Sequence, residues 1–129
     1  MGPFNLHIFF PKNRGLGAAL SDALFHCKHE LIARVDADDR SLSHRFTAQI
    51  KFLRNNPEVC VVGGWMREHN QTKAGVKRRV RKTPTEFEEV SRSAHRRNPI
   101  NHPTAMFRKS SVIESGNYQV CPMFEDYFL

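Results

Sequence analysis

Apolar and polar positions alternate along this chain in blocks that predict short strands and helices in turn. LHIFF (6–10) is a continuous apolar run of strand length, Pro11 ends it, and NRGLG (13–17) reads as a turn. From there apolar residues recur at Leu16, Ala19, Leu20, Ala23, Leu24 and Cys27, the spacing of one helix face. ELIARV (30–35) returns to a strand pattern, so residues 6–35 predict strand, helix, strand. Such a unit favours a parallel sheet with a right-handed crossover. Ser43 can cap a following helix carrying Phe46, Ile50 and Leu53 on one face, ended by RNNPE (54–58).

The second half continues in the same manner. VCVVGGWM (59–66) predicts another strand, too continuously apolar to face water on either side. Residues 67–82 are polar and read as a loop. Thr83-Pro84-Thr85-Glu86 has the form of a capping box with proline at the first helical position, which predicts a helix over 84–95. NPINHP (98–103) is irregular by its two prolines, TAMF (104–107) is a short strand, and SSVIES is a short helix stopped by Gly116. FEDYFL (124–129) opens a further amphipathic pattern. The whole predicts one α/β domain over 1–129, a mostly parallel sheet flanked by helices, with both ends looking cut.

Candidate chemistry lies where the second predicted strand meets its loop. Asp36, Asp38 and Asp39 crowd together there, and in open α/β sheets ligands bind at the carboxyl ends of strands. Neighbouring carboxylates raise one another's proton affinity unless a cation sits among them. A divalent metal such as Mg²⁺ is one remedy, since it takes carboxylate oxygens and leaves sites open for phosphates. A polar loop with Asp39 capping the next helix is the other reading, and both stay open on these residues alone. Gly15 and Gly17 do not complete a dinucleotide fingerprint, because Leu20 stands at its last position. They mark a tight turn at a helix start.

Composition narrows the class. Hydrophobic residues make up 40% of the 129, enough for a core, so wholesale disorder is not expected. No apolar run approaches the roughly 20 residues that cross a bilayer, and the start has no signal-peptide pattern. Cys27, Cys60 and Cys121 are odd in number and widely spaced, which suits a reduced, cytoplasmic protein. The net charge of +7 is concentrated: residues 73–109 hold eleven Lys or Arg against three Glu. Nucleic acid, an anionic membrane surface or a phosphorylated substrate could each answer that excess, as could plain solvation. Aromatic residues are not interleaved with the basic ones, and no nucleic-acid fingerprint is present, so no nucleic acid is expected.

NRGLGAAL, ELIARVDADD followed by SLSHRF, NPEVCVVGG, NPINHPTAMFRKS and FEDYFL occur in an order and spacing that resemble family 2 glycosyltransferases of the GT-A fold. The likeness covers about residues 6–129. It implies a partial, Rossmann-like GT-A domain and transfer of a sugar, with inversion, from a nucleotide-sugar, commonly a UDP-sugar. The acceptor would be a saccharide or a lipid-linked one, in bacterial polysaccharide or lipopolysaccharide synthesis. Members usually begin with base-binding strands that do not precede LHIFF here, so the 129 residues alone are expected to be weakly active or inactive. Ser21 and Asp22 depart from the residues usual at their positions, and Ser43 stands where proline is usual.

The resemblance also assigns roles. Asp36 and Asp38 match the D-x-D motif, Asp38 as the ligand of Mn²⁺ or Mg²⁺ and Asp36 on the donor's ribose side or a metal-bound water. Asp39 is a donor or metal contact, or the helix cap. Asp126 of the E-D pair is the expected general base, with Glu125 holding the acceptor. Asn13 and Arg14 border the donor site, and His102 lines the cleft on the acceptor side. Trp65 and Met66 read as core or cleft wall. Residues 73–97 suggest peripheral contact with the inner face of a membrane, and a bare sheet edge suggests self-association. Two other classes remain: a D-x-D phosphatase with Asp36 as nucleophile, and a non-enzymatic basic binding module built on 73–97.

Overall fold

The computed structural model describes residues 6–119, so Glu125 and Asp126 lie outside the described residues. Two layers of helix enclose a small sheet, and a long hairpin projects from it. Helix α1 (Leu16–His26) starts as the sequence predicts, after Gly15 at φ 84°, a left-handed conformation that suits glycine. The Asn13 side chain accepts from the Gly15 N–H at 2.9 Å and fixes that turn. Strand β1 (Leu31–Ala33) follows, then helix α2 (Arg45–Asn55) and strand β2 (Val61–Val62). Helix α2 begins two residues after Ser43, with His44 at its cap and no side-chain capping bond.

Strands β3 (Met66–Thr72) and β4 (Gly75–Arg81) form an antiparallel hairpin across the stretch whose polarity predicts a loop. Its side chains reach water on nearly every position, so no apolar alternation betrays it in the sequence. Helix α3 (Phe87–Ala94) starts three residues later than the proposed capping box requires. Thr85 turns its hydroxyl to the Glu86 carboxylate at 3.4 Å, and Glu86 becomes the cap residue itself. A single 3-10 turn (His102–Thr104) leads into β5 (Met106–Arg108), and α4 (Lys109–Glu114) ends before Gly116 at φ 107°.

The three-stranded sheet has the order β1-β5-β2, and both pairings are antiparallel. This corrects the expected parallel pairing. LHIFF forms no strand, so the first strand of the predicted unit does not join the sheet. Since β1 and β2 both oppose β5, they run in the same direction as each other. Their carboxyl ends therefore meet the start of β5 at one edge of the sheet, which is the arrangement the site depends on.

Packing holds that arrangement. Leu24, Ala105, Phe107, Val112 and Tyr118 form the buried core, with Leu20, Ile32 and Ile100 against it, so α1 covers one face. By alternation, Met106 and Arg108 take the opposite face, where α2 lies. Arg108 bonds the carbonyls of Leu53 at 2.7 Å and Val59 at 3.0 Å, satisfying the end of α2. Lys109 Nζ donates to the Cys27 carbonyl at 2.7 Å and closes α1 in the same way. Cationic side chains at helix carboxyl ends also complement the helix dipole.

Candidate functional site

The acidic loop begins three residues past β1, and its charges already have cationic neighbours. Arg34, whose side chain is 11% exposed, places Nη2 2.5 Å from Asp36 Oδ1. Asp39 lies close enough to Arg45 to stabilise its charge, while burial lowers the Arg45 pKa more strongly in the opposite sense. Crowding of three carboxylates is thus relieved in part by two arginines, and repulsion alone does not call for a metal. Asp38 and Asp39 are exposed.

Arg45 buckles this loop to the sheet. Its Nη2 donates to the Arg34 carbonyl at 2.8 Å and to the Ala105 carbonyl at 3.3 Å. Nη1 reaches Ser41 Oγ at 3.0 Å, and Nε reaches Gln49 Oε1 at 3.1 Å. Gln49 is buried one turn along α2 and donates in turn to the carbonyls of Thr104 at 2.8 Å and Val62 at 3.4 Å. Two side chains of one helix therefore tie the ends of β1 and β2 to the start of β5. Arg34 adds its own backbone N–H to the Ala105 carbonyl at 2.9 Å.

The far wall is the segment from Asn101 to Thr104. Thr104 Oγ1 accepts from the Gly64 N–H at 2.8 Å, and Asn101 Nδ2 donates to the Gly64 carbonyl at 2.8 Å. Gly63 must be glycine for space: a Cβ there would stand 2.7 Å from Ile100 Cγ2. His102 is buried, with Nε2 at 3.1 Å from the Tyr118 hydroxyl. The imidazole faces the core, and the turn that carries it abuts the acidic loop through Ala105.

Asn13 and Arg14 sit at the start of α1 beside a cavity of about 180 Å³ lined also by Phe10, Lys12 and Asp22. Arg14 pairs there with Asp22 at 3.0 Å across the surface. Trp65 is 52% exposed rather than packed in a core, with Lys82 Nζ 4.7 Å above its ring. Ala105, just after the His102 turn, accepts from the N–H of Arg34, two residues before the acidic loop. Sequence reasoning missed Arg34, Arg45 and Gln49. Their signal was a polar residue at 49 one turn before Leu53, on the stripe that α2 buries.

The residues present fit a divalent cation in one mode. Among the described residues no group of three or more His, Cys, Asp or Glu side chains is gathered for metal binding. A closed protein cage is therefore not formed by them. Mg²⁺, however, is commonly held by one or two carboxylates together with substrate phosphates. Exposed Asp38, with Asp36 half-engaged by Arg34, supplies such a partial set.

This α/β layering, with an acidic loop at converging strand ends, is that of a partial GT-A domain. The family model of Glycosyl transferase family 2 matches residues 3–116, and the chain belongs to that family. It is 38% identical, over 92% of its length, to the amylovoran biosynthesis glycosyltransferase AmsE of Erwinia amylovora. It is 36% identical over 92% to an uncharacterized glycosyltransferase of Haemophilus influenzae. A third relative, at 34% over 92%, is the Escherichia coli UDP-Gal:alpha-D-GlcNAc-diphosphoundecaprenol beta-1,3-galactosyltransferase. The chain spans 43%, 43% and 42% of the lengths of these three relatives respectively. Among the described residues no helix is long and apolar enough to cross a membrane.

Proposed function

We propose that this chain is part of an inverting glycosyltransferase that moves a hexose from a UDP-sugar to a lipid-linked saccharide. The reaction serves bacterial surface-polysaccharide synthesis at the cytoplasmic face of a membrane. The observation that carries this reading is the exposed Asp38 carboxylate on a loop that Arg34 and Arg45 clamp where β1, β2 and β5 converge. Family membership supports sugar transfer over the phosphatase reading of the same D-x-D motif. The relative that uses UDP-Gal and a diphosphoundecaprenol-linked sugar supports the donor and acceptor classes.

Each residue then has a task. Asp38, with Asp36, would hold Mn²⁺ or Mg²⁺ at the donor site. When bound, that cation supplies charge for the departing nucleotide. Asp36, oriented by Arg34, also fixes the ribose side of the donor, and Asp39 is a further donor contact. Asn13 and Arg14 border the donor from the start of α1. Asp126 takes the proton of the acceptor hydroxyl as its oxygen bonds to the anomeric carbon. The bond from that carbon to the diphosphate oxygen breaks, and the electron pair leaves with the nucleoside diphosphate. Inversion needs no covalent intermediate, so one base suffices. Glu125 holds the acceptor, and His102 supports that wall from beneath through Tyr118. The basic region 73–97 brings the enzyme to the membrane.

The test is a panel of nucleotide-sugars with the full-length protein, with and without Mn²⁺, and the product anomer read by NMR. Transfer from one donor, loss of that transfer on chelation and an inverted anomer are expected. Retention of configuration, or turnover indifferent to chelator, would refute the mechanism.

A further inference from the structure

The hairpin carries two unlike faces. In the observed register Met66 opposes Arg81, Arg67 opposes Val80, Glu68 opposes Arg79 and His69 opposes Arg78. Side chains on a strand alternate, so Met66, Glu68, Lys77, Arg79 and Arg81 share one face. That face is turned toward the protein at its root, where Met66 and Glu68 are half-buried, and Glu68 pairs with Arg81 at 2.6 Å. The other face carries Arg67, Arg78, Val76 and Val80, and the two valines are 55% and 48% exposed. Trp65 and Lys82 continue it by one register step, their contact confirming that they stand opposite each other. Among the described residues of the hairpin, none on this second face is a carboxylate.

We propose that this face, from Trp65 to Val76, lies flat on an anionic phospholipid surface. Three fixed cations match the charge of acidic headgroups, and the valines and the tryptophan suit the headgroup–acyl boundary, where Trp is enriched. Only Trp65, whose ring already faces Lys82, and His69 offer rings to a base and the valines offer none, which favours lipid over single-stranded nucleic acid. The placement also serves the site. The root of the hairpin is pinned by Asn101, which donates to the carbonyls of Gly64 at 2.8 Å and Arg81 at 3.5 Å. Asn101 immediately precedes the His102 turn, so a hairpin resting on lipid sets the acceptor wall beside the bilayer. This inference rests on the reading that the acceptor is lipid-borne.

Trp65 is the single tryptophan of the chain and reports on its own face. Titration with phosphatidylglycerol vesicles should shift its emission to the blue, and phosphatidylcholine vesicles should not. An arginine near an anionic leaflet contributes about 1 kcal/mol, roughly fivefold in partitioning, so R67Q/R78Q should weaken vesicle binding about thirtyfold. K77Q/R79Q removes the same charge from the other face and should cost less than fivefold. Equal losses in the two variants, or no blue shift, would overturn the proposal. Tighter binding to duplex DNA than to the vesicles would also overturn it and give the face to nucleic acid. Transfer to a water-soluble acceptor analogue separates the two readings: R67Q/R78Q should leave it intact. If transfer works while vesicle binding fails, only the docking face is wrong; if vesicle binding holds while transfer is absent, only the catalytic reading is.

Discussion

Replacing Arg45 by methionine should loosen the whole edge at which β1, β2 and β5 meet. The substitution keeps most of the aliphatic stem and removes the guanidinium, so its effect is that of the hydrogen bonds and charge. The Ala105 carbonyl keeps the Arg34 N–H at 2.9 Å and loses little. The Arg34 carbonyl loses its bond at 2.8 Å to a charged donor, a contribution of about 1.5–2 kcal/mol. Gln49 Oε1 loses its donor in a buried position, at about 1 kcal/mol more. Relief of the buried charge, visible in the lowered Arg45 pKa, offsets part of this. The net expectation is a loss of about 2 kcal/mol, close to thirtyfold in the folding equilibrium. With a urea dependence of about 1.5 kcal/mol per molar, the midpoint falls by about 1.3 M. Lysine at 45 keeps the charge but not the fork, and should recover less than half. A double-mutant cycle with Q49L should show a coupling of about 1 kcal/mol, since the two side chains share a bond. An R45M midpoint within experimental error of the parent would refute the buckle.

Asp36 and Asp38 should separate by assay. D36N leaves the Arg34 guanidinium buried without its carboxylate and should cost about 1–2 kcal/mol of stability, whereas D38N should be neutral in urea yet abolish metal-dependent transfer; the reverse ordering would exchange their roles. G63A should destabilise by about 1–3 kcal/mol because its methyl meets Ile100, and I100L, which moves the branch away, should recover part of it. The outer edge of β1 has no strand partner among the described residues, so light scattering of the 129-residue chain should show association at high concentration, and a strict monomer would count against that.

What the sequence disclosed follows from where side chains meet apolar surroundings. On the predicted stripe Leu24 is buried and Leu20 half-buried against the core, and that periodicity made α1 legible from its first turn. Gly116 ended α4 legibly because only a glycine accepts its left-handed backbone at so little cost. The hairpin was hidden for the opposite reason. Its residues bury almost nothing, its strands are held by backbone bonds between neighbours, and polarity then reads as loop. The pairing of β5 was equally invisible, since MFR opposes both β1 and β2 through register and not through composition.

The candidate site divides along the same line. Its acids stand in sequence within four residues, so a motif could find them. Arg34 pairs with Asp36, positions 45, 49 and 104 anchor the base of the loop, and only the fold joins them. The strands that converge at it are two or three residues long and could not by themselves fix three carboxylates. Arg45 and Gln49 instead bond carbonyls at or beside the ends of the three strands (Arg34, Val62, Thr104 and Ala105), so the base of the loop is anchored to α2. On the proposed reading, a donor diphosphate would meet a loop whose base was set by packing beforehand. The ordering cost is met during folding rather than at binding.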